Sequence, residues 1–114
     1  MKLSIIIPVY NEAKTMRELL KRIERVDLGK VKKEIILVDD CSTDGSREFI
    51  KKLGEKYIKV FQEKNKGKGA ALKGGIKKSS GDFIIFQDAD LEYDPNDYVK
   101  LLNPILENKT NISF

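Results

Sequence analysis

The chain has 114 residues, 40% hydrophobic and 35% charged, which is enough for one domain with a real core and short for an α/β enzyme that must hold two substrates. It has no histidine and a single cysteine, Cys41, which excludes Ser-His-Asp and Cys-His nucleophilic schemes, His-ligated zinc and any intrachain disulfide. The net charge of +4 comes from lysine, with arginine confined to Arg17, Arg22, Arg25 and Arg47.

A nucleic-acid reader would more often use arginine forks interleaved with aromatic rings, so the lysines read as solvated helix faces and no nucleic-acid partner is expected. A weak attraction to anionic membrane surfaces is the further expectation from that charge. No apolar run approaches the ~20 residues needed to cross a bilayer. The apolar stretch at the N-terminus is too short for a signal peptide. With one cysteine, a reducing cytoplasm is the expected setting.

In chain order, Leu3 to Val9 is almost wholly apolar and predicts a strand covered on both faces. Met16, Leu19, Leu20 and Ile23 then follow at the i, i+3, i+4, i+7 spacing of an amphipathic helix, with Asn11 placed to cap its start. Lys30 to Lys33 read as a basic connection into a second buried strand, Ile35 to Val38, ending in Asp39-Asp40. Ser42-Thr43-Asp44-Gly45 is a turn and cap cluster, and the helix after it should carry Phe49, Ile50, Leu53 and Tyr57 on one face. Ile58 to Phe61 predicts a short third strand. Gly67-Lys68-Gly69 opens a third helix with Ala71, Leu72 and Ile76 inward. Phe83 to Phe86 predicts the fourth strand, and Asp94-Pro95 the start of a last helix through Tyr98, Leu101, Leu102 and Ile105. Strands alternating with helices mean a parallel sheet, and the right-handed crossover rule narrows it to a doubly wound, Rossmann-like α/β fold with helices on both faces.

The chemistry-bearing residues fall where strands end. The first strand ends in Pro8-Val9-Tyr10-Asn11-Glu12, the second in Asp39-Asp40, the fourth in Asp88-Ala89-Asp90. In a parallel sheet these ends share one edge and one crevice. Two carboxylates one residue apart face the same side of an extended backbone, and such hard oxygen ligands suit Mg²⁺ or Mn²⁺ bridging to a phosphate. Asp40 is placed to accept hydrogen bonds from a base edge or a ribose hydroxyl. Backbone amides at Gly67-x-Gly69, with Lys68, could meet a diphosphate at the start of the third helix.

Rival motifs fail on spacing. An EF-hand loop opening at Asp88 would need Gly where Tyr93 stands and Glu where Val99 stands. The first strand-to-helix turn, Val9 to Glu12, has no glycine, which excludes the dinucleotide fingerprint, and no P-loop pattern occurs.

Four stretches together resemble a family-2 glycosyltransferase of the GT-A fold. They are Ile5 to Glu12, Val38 to Asp44, Asn65 to Ala71, and Gly81-Asp82 through Asp88-Ala89-Asp90. Within that family the chain is most similar to the polyprenyl-phosphate (dolichyl-phosphate) mannosyl- and glucosyltransferases. The resemblance implies inverting transfer of a sugar from a nucleotide sugar, a GDP- or UDP-sugar, with polyprenyl phosphate as acceptor at the cytoplasmic membrane face. It implies that Pro8, Tyr10, Glu12, Val38 and Asp40 hold the nucleoside. Asp88 and Asp90 would hold Mg²⁺ or Mn²⁺ on the diphosphate, with Ala89 and Glu92 beside it. Members of the family continue with an acceptor-binding half. Residues 1–114 are therefore expected to be the nucleotide-sugar-binding part of a truncated domain, with any catalytic base beyond Phe114 and self-association through the uncovered surface. The competing readings are a nucleotide-binding module without transfer activity and a nucleotidyltransferase, although the latter should carry a glycine-rich basic loop after the first strand.

Overall fold

In a computed structural model that describes residues 1–91 and 94–98, the chain alternates strand and helix. The elements are β1 (Lys2–Val9), α1 (Ala13–Arg25), β2 (Lys32–Asp39), α2 (Ser46–Lys52), β3 (Tyr57–Phe61), α3 (Lys68–Lys78), β4 (Phe83–Phe86) and a 3₁₀ turn at Pro95–Asp97. The sheet order is β3-β2-β1-β4 and every pairing is parallel.

That order dictates where the helices lie. The connections β1 to β2 and β2 to β3 step one way across the sheet, whereas β3 to β4 steps back over two strands. If every crossover is right-handed, the helix on the return step must cover the opposite face. The core divides accordingly. On one face Leu3, Ile5, Ile7 and Val9 of β1, with Ile35 and Leu37 of β2, pack on Met16, Leu19 and Ile23 of α1 and Ile50 of α2. On the other, Ile6, Ile36 and Val38 pack on Ala71 of α3. The alternation along β1 and β2 is the period of two that an extended strand requires.

The third helix sits close to the sheet because its inner face is small. A Cβ on Gly75 would lie 2.4 Å from Ile6 Cγ2 and 3.3 Å from Val38 Cγ2. Gly75 and Ala71, one turn apart, therefore seat α3 over β1 and β2. Ile76, expected inward, is 42% exposed; Gly75 takes that place.

Two other local expectations also change. β2 begins at Lys32, inside the supposed basic connection, because Lys32 and Lys33 pair with Lys2 and Leu3. Lys33 Nζ moreover donates to the carbonyls of Ile23 (2.8 Å), Glu24 (3.0 Å) and Val26 (2.7 Å), closing the C-terminal end of α1. Tyr57 belongs to β3 rather than α2, its amide already paired to Gly54 O. The last predicted helix lies outside the described residues beyond its opening turn, where Asp97 N donates to Asp94 O.

Candidate functional site

The point where the strand order reverses, between β1 and β4, opens a cleft of about 230 Å³ at the carboxyl edge of the sheet. Its walls include Pro8, Tyr10 and Glu12 from the end of β1, Asp40 from β2, Lys68 from α3, and Asp88, Ala89 and Asp90 after β4. The structure thus brings eight of the residues singled out from sequence to one place. Val9 and Ala71 line it as well, small apolar contributions that carry no motif signal. Two expected residues stand elsewhere. Val38 is fully buried in the core against Gly75, and Gly69 is exposed in the first turn of α3. Glu92 lies outside the described residues.

The strand-end backbone is held in an unusual shape. Among the described residues, the non-glycine residues with positive φ are Asn11 (54°), Cys41 (62°) and Leu91 (66°), which follow β1, β2 and β4 in turn. Left-handed backbone at non-glycine residues is uncommon and needs surroundings that over-determine it. At Asn11 those surroundings are visible. Its amide donates to Ser42 Oγ (3.0 Å) and its Oδ1 accepts from Thr43 N (2.8 Å). The next two amides follow, Glu12 N to Ser46 Oγ (3.0 Å) and Ala13 N to Asp44 Oδ2 (3.1 Å).

Asn11 is therefore not the side-chain cap of α1. Glu12 occupies the cap position with no side-chain bond to the first-turn amides among the described residues; of those amides, Ala13 N is met by Asp44 of the β2–α2 loop and Thr15 N by Glu12 O (3.2 Å). Burial raises the Asp44 carboxyl, but hydrogen bonds from Ser46 and the Ala13 amide outweigh it and leave the pKa below its ordinary value. Ser42 and Asp44, read from sequence as part of a turn and cap cluster, form with Ser46, the first residue of α2, the brace that holds Asn11, Glu12 and Ala13.

Asp39 and Asp40 are adjacent yet serve opposite faces, as successive residues of a strand must. Asp39, fully buried, accepts from Arg47 (3.1 Å) and Ser42 N (3.1 Å) on the α2 side, while its Oδ1 has no partner among the described residues. Asp40 turns toward α3. Its Oδ1 accepts from Lys66 N (2.8 Å) and its Oδ2 from Gly67 N (2.9 Å), fixing the turn in which Gly67 takes φ 90° before the helix starts. Asp40 is thus both a wall of the cleft and the anchor of the loop that delivers Lys68.

Lys68 Nζ donates to Asp88 Oδ1 at 2.5 Å. Among the described residues, four carboxylates, Glu12, Asp40, Asp88 and Asp90, meet one ammonium on these walls. An anionic ligand would enter such a cleft only with a cation, and the ammonium on Asp88 marks where positive charge is held. Among the described residues, no cluster of three or more His, Cys, Asp or Glu side chains is gathered to bind a metal alone. Two carboxylates with open positions left for phosphate oxygens and water fit Mg²⁺ or Mn²⁺ bound together with a diphosphate.

Comparison with known proteins agrees with this geometry. The sequence model described as glycosyl transferase family 2 matches residues 4–114. Over 107 residues the chain is 41% identical to a dolichol-phosphate mannosyltransferase of Pyrococcus furiosus, covering 92% of this chain and 30% of that protein. Among solved structures, S. aureus TarS in complex with UDP superposes with a TM-score of 0.80 at 30% identity, covering 96% of this chain and 33% of the other. The mannosyltransferase PcManGT of Pyrobaculum calidifontis, in complex with GDP-Man and Mn²⁺, superposes with a TM-score of 0.72 at 29% identity, over 89% and 32% of the two chains. The chain thus spans about a third of the length of these matched chains, the TarS one being residues 1–349. It belongs to glycosyl transferase family 2, and its doubly wound parallel sheet is that of the GT-A fold.

Proposed function

We propose that this chain forms the donor side of an inverting glycosyltransferase, binding a nucleoside diphosphate sugar with Mg²⁺ or Mn²⁺ for transfer to polyprenyl phosphate. The observation that carries the proposal is the turn Asp88-Ala89-Asp90, opening into the cleft at the reversal of strand order beside Lys68. The relatives supply the ligand classes: PcManGT was solved with GDP-Man and Mn²⁺, TarS with UDP, and the Pyrococcus furiosus relative is named for dolichol phosphate.

In this reading Pro8, Tyr10 and Glu12 form the nucleoside wall, and Tyr10, 47% exposed, offers a ring face to a base. Asp40 keeps the lone pairs not used by Lys66 and Gly67 for the base edge or ribose. Asp88 and Asp90 hold the cation, which supplies Lewis-acid stabilisation of the charge that develops on the leaving diphosphate. Lys68, at the first residue of α3, lies within reach of the same charge. A lipid phosphate is already anionic and needs no base to attack. For the membrane-bound acceptor we propose a peripheral position at the cytoplasmic face; among the described residues no helix is long and apolar enough to cross a membrane.

Calorimetry of UDP and GDP with and without Mn²⁺, on the parent and on Asp88→Asn and Asp90→Asn, tests the assignment. Each substitution removes a ligand charge at constant size. Each should weaken Mn²⁺-dependent binding at least as much as loss of an outer-shell partner does, about 10–100-fold. Unchanged affinity in Asp90→Asn would overturn the metal assignment.

A further inference from the structure

The geometry points to Thr15, a residue of the first turn of α1, as the positioning residue of the Asp88-Ala89-Asp90 turn. Strand pairing stops short of this turn. The β1–β4 register ends at Ile6 and Phe86, and the last ladder bond is Gln87 N to Ile6 O at 2.9 Å. Among the described residues no sheet bond orients the carbonyls of Asp88 and Ala89, and each is held by a side chain instead.

Gln87, 2% exposed, donates from Nε2 to Asp88 O at 3.1 Å and accepts from Tyr98 Oη at 2.6 Å. Thr15 Oγ1 donates to Ala89 O at 2.5 Å. The Ala89 carbonyl belongs to the peptide plane that leads into Asp90, so fixing its direction fixes where the Asp90 carboxylate starts. Ala89 is 3% exposed, which leaves its carbonyl little water to turn to if the hydroxyl is lost.

The hydroxyl has one proton and three acceptors in reach, Ala89 O, Glu12 Oε2 and Glu12 O, the last the most distant at 3.4 Å. Glu12 Oε2 lies at 3.1 Å, farther than Ala89 O, and Glu12 is only half-buried. The shorter, drier contact takes the proton. Thr15 thereby ties the helix that starts at the nucleoside wall to the turn that carries the cation ligands. The backbone of that turn is demanding, since Leu91 immediately after it has φ 66°.

This inference rests on the reading of Asp88 and Asp90 as cation and diphosphate ligands. Calorimetry of UDP with Mn²⁺, of UDP without metal and of uridine alone, on the full chain, separates the two. Thr15→Val keeps the shape and removes the hydroxyl; Thr15→Ser restores it. Thr15→Val should weaken Mn²⁺-dependent UDP binding about threefold to tenfold, the equivalent of one lost hydrogen bond. Uridine affinity should stay within about twofold, and Thr15→Ser should return the Mn²⁺-dependent step to within about twofold of the parent.

A general packing role would instead lower all three affinities together and would not be repaired by serine. That result overturns the inference, as does unchanged Mn²⁺-dependent binding in Thr15→Val. Should the valine variant not fold, Thr15→Ala is measured in its place. A parent that binds neither Mn²⁺ nor UDP overturns the donor-site reading, and this inference with it. A parent that binds both, with a Thr15→Val variant that matches it, overturns this inference alone.

Discussion

The two ends of the same sheet both gather acidic and basic side chains, and they do opposite things with them. At the amino edge, Glu34 is closed in by donors. It accepts from Ser4 Oγ (2.8 Å), Ser80 N (2.9 Å), Ser80 Oγ (2.6 Å) and Lys2 Nζ (3.3 Å). Gly81 N donates to Ser4 Oγ (2.9 Å), Lys2 N to Asp82 Oδ2 (2.9 Å) and Asp82 N to Lys2 O (2.7 Å), so this clasp pins the start of β4 to β1. At the carboxyl edge, Asp88 and Asp90 stand on the wall of an open cleft, and Asp88 is paired with a lysine that is itself 58% exposed. A carboxylate whose lone pairs are filled by the fold is spent on stability. One that faces an open cleft and a solvent-exposed ammonium is available to a ligand.

The amino edge should therefore fail first when the contrast is tested by stability. A Cβ on Gly81 would fall 2.5 Å from Ser4 Oγ, 2.8 Å from Ser4 N and 2.9 Å from Lys2 O. Two of those atoms are backbone and cannot rotate away, so Gly81→Ala must push β4 off β1. The expected loss is about 3 kcal/mol in urea denaturation, the upper end for forced overpacking. A loss under about 0.5 kcal/mol, typical of a free surface position, would show that the clasp is not holding the strand.

Glu34→Gln comes next, with an expected loss of about 2 kcal/mol near neutral pH, typical of hydrogen bonds to a charged group. Its pH dependence is more telling. Burial raises the Glu34 carboxyl, but the hydrogen bonds from Ser80, Ser4 and Lys2 outweigh it and bring the pKa down to about 2 from an ordinary 4.5. A group with a lowered folded pKa stabilises the fold fully above its unfolded value and loses that contribution as pH falls toward the folded one. The difference between parent and variant should thus be constant above 4.5 and shrink toward pH 2. Asp44 and Glu24, also lowered, titrate in both proteins and cancel from the difference. A gap that does not narrow over that range would remove Glu34 from the clasp.

The amino-edge clasp was not legible in the sequence, whereas much of the carboxyl edge was. Ser4, Glu34 and Ser80 are ordinary residues that become a unit only through the parallel register that sets Ser4 opposite Glu34 and Ile84. The strand-end clusters were legible because parallel topology sends every carboxyl end to one edge, so Tyr10, Asp40 and Asp88 need no register to be brought together. The core followed from period: Met16, Leu19, Leu20 and Ile23 are buried as their spacing requires. Ile76 was misplaced because periodicity ranks residues by apolarity, and here the residue nearest the sheet is Gly75, chosen for its lack of a side chain. Asn11 was misread because a local cap is the default, whereas the amides beside it, Glu12 N and Ala13 N, are taken by Ser46 and Asp44 at the start of α2, some thirty residues away. Thr15 carried no signal at all, since its acceptor, a backbone carbonyl, is invisible in any sequence pattern.

The smallest expected effect on stability is the one that best separates the two edges. The Lys68–Asp88 pair is exposed, with side-chain accessibilities of 58% and 31%, and exposed pairs contribute ~0–1 kcal/mol. Lys68→Met keeps the length of the side chain and its apolar stem, so the unfolding free energy should change by less than about 0.5 kcal/mol. Binding should respond instead. With the ammonium gone, every charged side chain among the described residues of the cleft is a carboxylate, so UDP affinity should fall while uridine affinity holds. In the parent, the preference for UDP over uridine should also weaken as ionic strength rises, because a charge at the mouth of an open cleft is screened over a Debye length of ~10 Å at 0.1 M. In Lys68→Met that salt dependence should be shallower. Calorimetry at two salt concentrations, beside urea denaturation of the same samples, reads both quantities. A Lys68→Met variant that loses as much stability as Glu34→Gln while keeping its UDP affinity would make the carboxyl edge as structural as the amino edge, and the contrast between them would be gone.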